Sequence, residues 1–168
     1  HVGYHLCQIL YDAGAKLVVA DLNQASVTKA VDAFGATAVS VENILSVDAD
    51  ILAPCALGGV INDRTLEKLR VGIIAGAANN QLEHARHGDM LREAGILYAP
   101  DYVINAGGVV EVHYCREGKP VSDTNKHIEG IGATVREIFD RASQQNLSTS
   151  FVADRLAEER FGLRQHAA

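Results

Sequence analysis

Gly3-Tyr4-His5-Leu6-Cys7-Gln8-Ile9-Leu10-Tyr11-Asp12-Ala13-Gly14-Ala15-Lys16-Leu17-Val18-Val19-Ala20-Asp21 changes its hydrophobic period halfway along, and that change decides the fold. Leu6, Ile9, Leu10 and Ala13 recur at helical spacing, Gly14 ends the segment, and Leu17 to Ala20 is a short continuous apolar run. The stretch therefore reads as a helix, a turn and a buried strand. A charged residue, Asp21, stands directly at the end of that strand.

The same alternation continues outward. Val27, Ala30, Val31 and Phe34 repeat the helical spacing behind Asn23 as N-cap, and a short strand follows at Thr37 to Ser40. Strands are then expected at Ile51 to Ala53, Val71 to Ala75 and Ile96 to Ala99, separated by helices at Asn62 to Leu69 and Glu83 to Ala94. Short apolar strands alternating with helices imply a parallel sheet covered on both faces. From Ser122 only helical spacing remains. Ile128, Ile131, Val135, Ile138, Phe139 and Ala142 form one stripe, Val152 and Leu156 another, and both read as packing surface. The expected organisation is a doubly wound α/β domain over residues 1–120 and a helical tail over 121–168. The polar stretch Glu117 to Asp123 is the candidate linker. There is no internal repeat.

Composition excludes several classes of function. The 168 residues carry a formal charge of −6 and no Lys/Arg run, which argues against a nucleic-acid partner, because clustered cations supply most of that affinity. Charged residues, Asn or Gly interrupt every apolar stretch before it reaches the length of a membrane span. Cys7, Cys55 and Cys115 are odd in number and lack a C-x-x-C pair, so neither a disulfide framework nor a metal site is expected, and a reducing cytoplasm fits. The chain opens on His1-Val2-Gly3 and runs straight into a helix, so the strand that would precede Gly3 is expected upstream.

Asp21 stands where a dinucleotide fold places the carboxylate that accepts hydrogen bonds from the adenosine ribose. Such a carboxylate repels a 2′-phosphate and favours NAD over NADP. The competing reading is that Asp21 only caps the next helix. Gly3 fits the third glycine of G-x-G-x-x-G, whose partners would lie before residue 1. Three loops rich in small residues and amides follow predicted strands: Pro54 to Gly59, Gly76 to Gln81 and Asn105 to Gly108. Small residues let backbone approach a flat ligand, and Asn offers both donors and acceptors to an amide such as that of nicotinamide.

At these loops the chain resembles the glutamate/leucine/phenylalanine/valine dehydrogenase family, most of all its leucine-acting members. The segments that carry the likeness are Ala53 to Gly59 (APCALGG), Ala75 to Leu82 (AGAANNQL), Arg86 to Met90 (RHGDM) and Tyr98 to Gly108 (YAPDYVINAGG). The resemblance implies a Rossmann-like sheet with one strand antiparallel, and a homo-oligomeric enzyme that reversibly deaminates L-leucine to 4-methyl-2-oxopentanoate and ammonium. Hydride would pass from the amino acid Cα to C4 of NAD. It further implies that Asp21 holds the adenosine ribose, that Cys55 and Ala56 line the coenzyme cleft, and that Asn105 lies near the carboxamide. Asn80 would lie beside both the substrate and the nicotinamide ribose, and Val109 and Val112 would face the substrate side chain. The proton-transferring Lys and Asp of the family lie in a preceding substrate domain. No catalytic acid or base is therefore expected within these residues, and the fragment alone is expected to be inactive.

Other chemistry at the same positions lacks the residues it would need. Cys55 lacks a sequence-near base for nucleophilic work, and His84 with His87 lacks a third metal ligand, which leaves the histidines a surface or capping role. Asp101, beside Pro100, is expected to fix its turn through backbone amides. Valine or phenylalanine dehydrogenase is the near alternative, and a non-catalytic NAD-sensing module is the rival from another class.

Overall fold

A computed structural model describes residues 2–162. The elements run α1 (Val2–Asp12), β1 (Val18–Val19), α2 (Gln24–Phe34), β2 (Thr37–Ala38), β3 (Asp48–Leu52), α3 (Asp63–Leu66), β4 (Arg70–Ile74), α4 (Arg86–Glu93) and β5 (Leu97–Tyr98). Four helices follow without further strands: α5 (Asp101–Ile104), α6 (Gly107–Arg116), α7 (Val121–Gln145) and α8 (Thr149–Arg160). The fold is α/β with parallel pairing throughout the described strands. β1 pairs with β2, and β3-β4-β5 form a separate sheet in that order, with Asp48 opposite Arg70 and Ile74 opposite Tyr98. The antiparallel strand implied by the resemblance is not among these pairings.

Local chemistry explains where the elements start. The Asn23 side chain accepts from the amides of Ala25 and Ser26, and Gly35 closes α2 in the left-handed region at φ 62°. Such a cap is worth about 1 kcal/mol. Asn62 and Thr65 form a reciprocal capping box that starts α3, so a helix of only four residues holds its place. The expected helix over 83–94 begins three residues late, at Arg86, because His84 to Ala85 form a turn closed by the His87 ring.

Two apolar clusters organise the chain. Ile61, Leu69, Ile74, Leu91, Ile96 and Tyr98 pack between the three-stranded sheet and helices α3 and α4. Ile138, Ala142, Val152, Ala153 and Leu156 join α7 to α8, with Val103 and Phe139 against them. The helical tail is tied to the sheet by Thr149, whose Oγ1 donates to the Tyr98 carbonyl at 2.6 Å, and by Tyr102, whose Oη donates to Asp154 Oδ1 at 2.6 Å. The stripe on α7 is buried at Ile138 and Ala142, whereas Ile128 near its start is exposed.

One further expectation is corrected. Asn105 to Gly108 is not a loop after a strand: it follows α5, and Gly107 and Gly108 form the first turn of α6. The run Tyr102-Val103-Ile104, apolar and β-branched, is helical because its short turn packs on α7. The stripe on α1 is not buried, since no residue of that helix is, and Ile9 is 64% exposed. Helix α1 packs mainly on α2, with the Tyr4 and Tyr11 rings 5.0 and 5.6 Å from that of Phe34.

Glycine supplies one contact that no other residue could make. A Cβ on Gly76 would fall well inside the van der Waals radius of the Pro54 backbone. Gly130, in the exposed middle of α7, has open space around it. Gly76→Ala is therefore expected to cost about 3 kcal/mol through overpacking, and Gly130→Ala to stabilise by about 0.5–1 kcal/mol. Urea midpoints of the two variants check this, and similar effects would contradict the packing described.

Candidate functional site

The ends of β3 and β4 carry the two loops singled out by sequence, and their backbones are bonded to one another. Ala75 N donates to Leu52 O, Ala78 N to Pro54 O, and Gly59 N to Asn80 O, all at 2.7–2.9 Å. Beyond the loops, Ile61 N bonds Gln81 O and Glu83 N bonds Ile61 O, continuing the parallel pairing as a bridge between Ile61 and Leu82. A Cβ on Gly58 would meet the carbonyls of Asn79 and Asn80 at 2.7 and 2.9 Å. Only glycine lets these loops lie this close.

The α5–α6 turn joins the same assembly. Asn105 Nδ2 donates to Asn79 Oδ1 at 2.6 Å, and the buried Asp101 accepts the Gln81 backbone N–H on Oδ2 at 2.6 Å. Asp101 thus fixes a loop twenty residues upstream, whereas the sequence reading had it fixing its own turn. Its own N–H donates to the Tyr98 hydroxyl at 3.3 Å. Burial first, and the neighbouring Asp101 carboxylate second, push the Tyr98 phenol well above its usual range. Both groups belong to a dry polar cluster beneath the loop.

Asn80 adopts the left-handed region at φ 52°, which asparagine tolerates better than most side chains. It is exposed, as are Asn79 and Ala56, while Cys55 and Asn105 are half-buried. Gly3 of α1 reaches the first loop: a Cβ there would lie 3.3 Å from that of Cys55. The structure therefore brings Gly3, Cys55, Ala56, Asn80 and Asn105 to one group of loops, at the C-terminal ends of β3 and β4. Asp21 lies two residues beyond β1, which belongs to the other sheet. It is exposed, and its Oδ1 accepts only from Asn23 N at 2.8 Å. Asn23, not Asp21, caps α2, which removes the competing capping role. Val109 and Val112 stand on α6 at 76% and 57% exposure, apolar surface with no cover among the described residues.

Sequence reasoning missed the roles of Asn79 and Gln81. Gln81 is fully buried, its Nε2 donates to the carbonyls of Gly76 and Ala78 at 2.7 and 3.0 Å, and its Oε1 has no partner among the described residues. The available signal was a polar residue closing an otherwise small and apolar loop. His87 is also buried, and of the surface or capping roles expected for the histidines it takes the capping one. Its Nδ1 accepts from His84 N at 3.0 Å, which puts the proton on Nε2, facing Asp63 Oδ1 at 3.2 Å. Arg86, bonded to the same Asp63 at 2.5 Å, is the main cause that holds this carboxyl below the usual range. No three His, Cys, Asp or Glu among the described residues could together hold a metal. No described helix is long and apolar enough to cross a membrane.

A further depression lies elsewhere. An open depression of about 1040 Å³ sits at the starts of β3 and β4, lined by Asp48, Asp50, Arg70 and Ile96 among others. Open parallel sheets bind ligands outside the carboxyl ends of their strands, so the loops and not this depression are the candidate site.

The family model described as glutamate/leucine/phenylalanine/valine dehydrogenase matches residues 2–147. The leucine dehydrogenase of Geobacillus stearothermophilus is 50% identical over 160 residues, covering 95% of this chain and 44% of that protein. The crystal structure of L-tryptophan dehydrogenase from Nostoc punctiforme superposes with a TM-score of 0.93 at 42% identity, covering 99% of this chain and 50% of that one. A hetero-hexameric glutamate dehydrogenase from Thermus thermophilus, at 18% identity and a TM-score of 0.62, shares the fold over 95% of this chain and 50% of its own. The chain thus spans about half the length of the relatives it matches. On the family match and these identities, the chain belongs to the glutamate/leucine/phenylalanine/valine dehydrogenase family.

Proposed function

We propose that this chain is the coenzyme-binding part of an NAD-dependent amino acid dehydrogenase that acts on leucine and related branched-chain substrates. The observation that carries the reading is the convergence of the Pro54 to Gly59 loop, the Gly76 to Gln81 loop and Asn105 at one sheet edge, in a chain 50% identical to a leucine dehydrogenase. In the full-length protein a preceding substrate domain supplies the proton-transferring Lys and Asp. The enzyme is a cytoplasmic homo-oligomer in this reading. The three free cysteines favour the compartment.

The exposed strand edges support a Rossmann-like, doubly wound sheet. β1 and β3 each have one unpaired side, and Val18, Ile51 and the outward residues Val2 and Ile9 of α1 are exposed. One further parallel strand, preceding Gly3, would pair with both edges and cover this surface, completing the order β2-β1-strand-β3-β4-β5. Unpaired apolar edges of this kind are ordinarily covered in a finished fold.

The residues present fit NAD. Asp21 keeps one carboxylate oxygen with no hydrogen-bond partner among the described residues for the adenosine ribose hydroxyls, and Gly3 stands at the start of α1, where backbone amides favour a pyrophosphate. Cys55 and Ala56 line the cleft, and Asn105 lies on the carboxamide side. NAD, when bound, supplies the hydride acceptor. Asn80, exposed on its left-handed turn, orients substrate and ribose together in this reading. Val109 and Val112 offer an apolar face to the substrate side chain, where an unpaired carboxylate would cost several kcal/mol in desolvation.

Three outcomes test this. The full-length enzyme is expected to prefer NAD over NADP by about a hundredfold in kcat/KM, the scale of one like-charge contact in a partly desolvated cleft, and Asp21→Ser should narrow the gap. Equal use of both coenzymes by the unmutated enzyme would remove Asp21 from the site. Leucine, valine and isoleucine should lie within about tenfold of one another per methylene, with glutamate far behind. A leucine-to-glutamate ratio near one would remove Val109 and Val112. The 168-residue chain alone should not deaminate leucine above background, since general acid/base groups supply about a hundredfold to ten-thousandfold.

A further inference from the structure

Asn79 and Asn80 are exposed, yet the loop that carries them is anchored from below by two buried polar groups to which the family likeness assigned no place in the site. Gln81 is fully buried and spends both N–H groups of its amide on the same loop, at Gly76 O and Ala78 O. Its backbone N–H is held by Asp101 Oδ2 at 2.6 Å and its carbonyl by Ile61 N at 2.9 Å. Every one of these bonds lies within one residue of the left-handed turn at Asn80 or closes the loop that contains it. A non-glycine residue in that region persists only when its surroundings over-determine it.

The cost of the arrangement is visible. Gln81 Oε1 is buried with no hydrogen-bond partner among the described residues, and the Asp101 carboxylate is buried with the Gln81 amide as its short hydrogen bond. A leucine of similar size would remove that oxygen but would leave the Gly76 and Ala78 carbonyls without the donor that Gln81 supplies. Buried polar groups are ordinarily paired, and here the amide is spent on holding the carbonyls of its own loop.

We propose that Gln81 and Asp101 are positioning residues for hydride transfer: they set the left-handed turn at Asn80 and so fix where its side chain meets the substrate and the coenzyme ribose. The inference rests on the assignment of Asn80 made above. Neither residue touches the reacting atoms. Gln81 works by closing the loop on itself, and Asp101 by pinning the loop to α5, the helix that also brings Asn105 to Asn79. Loss of either contact should leave coenzyme affinity at the adenosine end intact and misplace the substrate end, because Asp21 follows β1 of the other sheet.

The test uses the full-length enzyme with leucine and NAD, and the variants Gln81→Met, Asp101→Ala, Asp101→Asn and Asn80→Ala. Gln81→Met and Asp101→Ala are expected to lower kcat about a hundredfold, the scale of a displacement of about 1 Å, with KM for NAD within about threefold of the unmutated value. The deuterium isotope effect on kcat with Cα-deuterated leucine should rise in both. Asp101→Asn keeps an acceptor for the Gln81 amide and should recover most of the loss. In the coenzyme-free protein, amide hydrogen exchange over residues 76–82 should speed up by at least about tenfold in Gln81→Met, with residues 149–156 unchanged. If Asn80→Ala lowers kcat while both Gln81→Met and Asp101→Ala keep it within about threefold, the positioning role is overturned. If Asn80→Ala itself leaves kcat unchanged, the assignment of Asn80 fails and the inference fails with it. Should Gln81→Met not fold, Asp101→Ala against Asp101→Asn reads the same contact from the other side.

Discussion

The Gly76 backbone lies against Pro54 because it carries no side chain, and the arrangement of the site depends on that contact. With Gly76 in place, Ala78 N reaches Pro54 O and Gly59 N reaches Asn80 O, so the loops that end β3 and β4 share one hydrogen-bond lattice. Parallel strands put these loops at a common edge whatever their sequence. Glycine at 58 and 76 then converts neighbouring loops into one surface. Asp101 and Asn105 extend it to the start of the helical tail, and Thr149 and Tyr102 brace that tail from the far side.

Much of this was legible in the sequence because parallel strands leave a plain trace. Val18-Val19, Ile51-Leu52 and Ile73-Ile74 stand in apolar runs bounded by turn residues, and Asn23 and Asn62 announce helices that the structure starts one residue later. Where periodicity competes with composition it misleads. Gly107-Gly108 reads as a loop, yet the first turn of a helix has amide groups without intrahelical acceptors, and glycine there forfeits less than in a helix interior. Tyr102-Val103-Ile104 has strand propensity, and a single turn packed on α7 overrides it.

Burial is less legible than secondary structure, because it depends on what arrives from elsewhere in the chain. The stripe Leu6, Ile9, Leu10 is sound helix patterning, but among the described residues α1 meets chiefly α2. In the site, the exposed amides and glycines stood out as residue types, while Gln81 did not. A buried glutamine owes its role to carbonyls three and five residues back and to a carboxylate twenty residues ahead, and no spacing rule connects these. The histidine pair left a surface and a capping role open for the same reason, and only the fold turns the His87 ring under the His84 amide.

The proposed coenzyme site lies across the strand-end loops. The most direct measurement is a crystal structure of the full-length protein with NAD bound. The account predicts the adenosine ribose on Asp21 and the nicotinamide against Gly76 to Gln81, with Asn80 still in its left-handed turn. Coenzyme in the depression lined by Asp48, Arg70 and Ile96, at the opposite ends of the same strands, would contradict it.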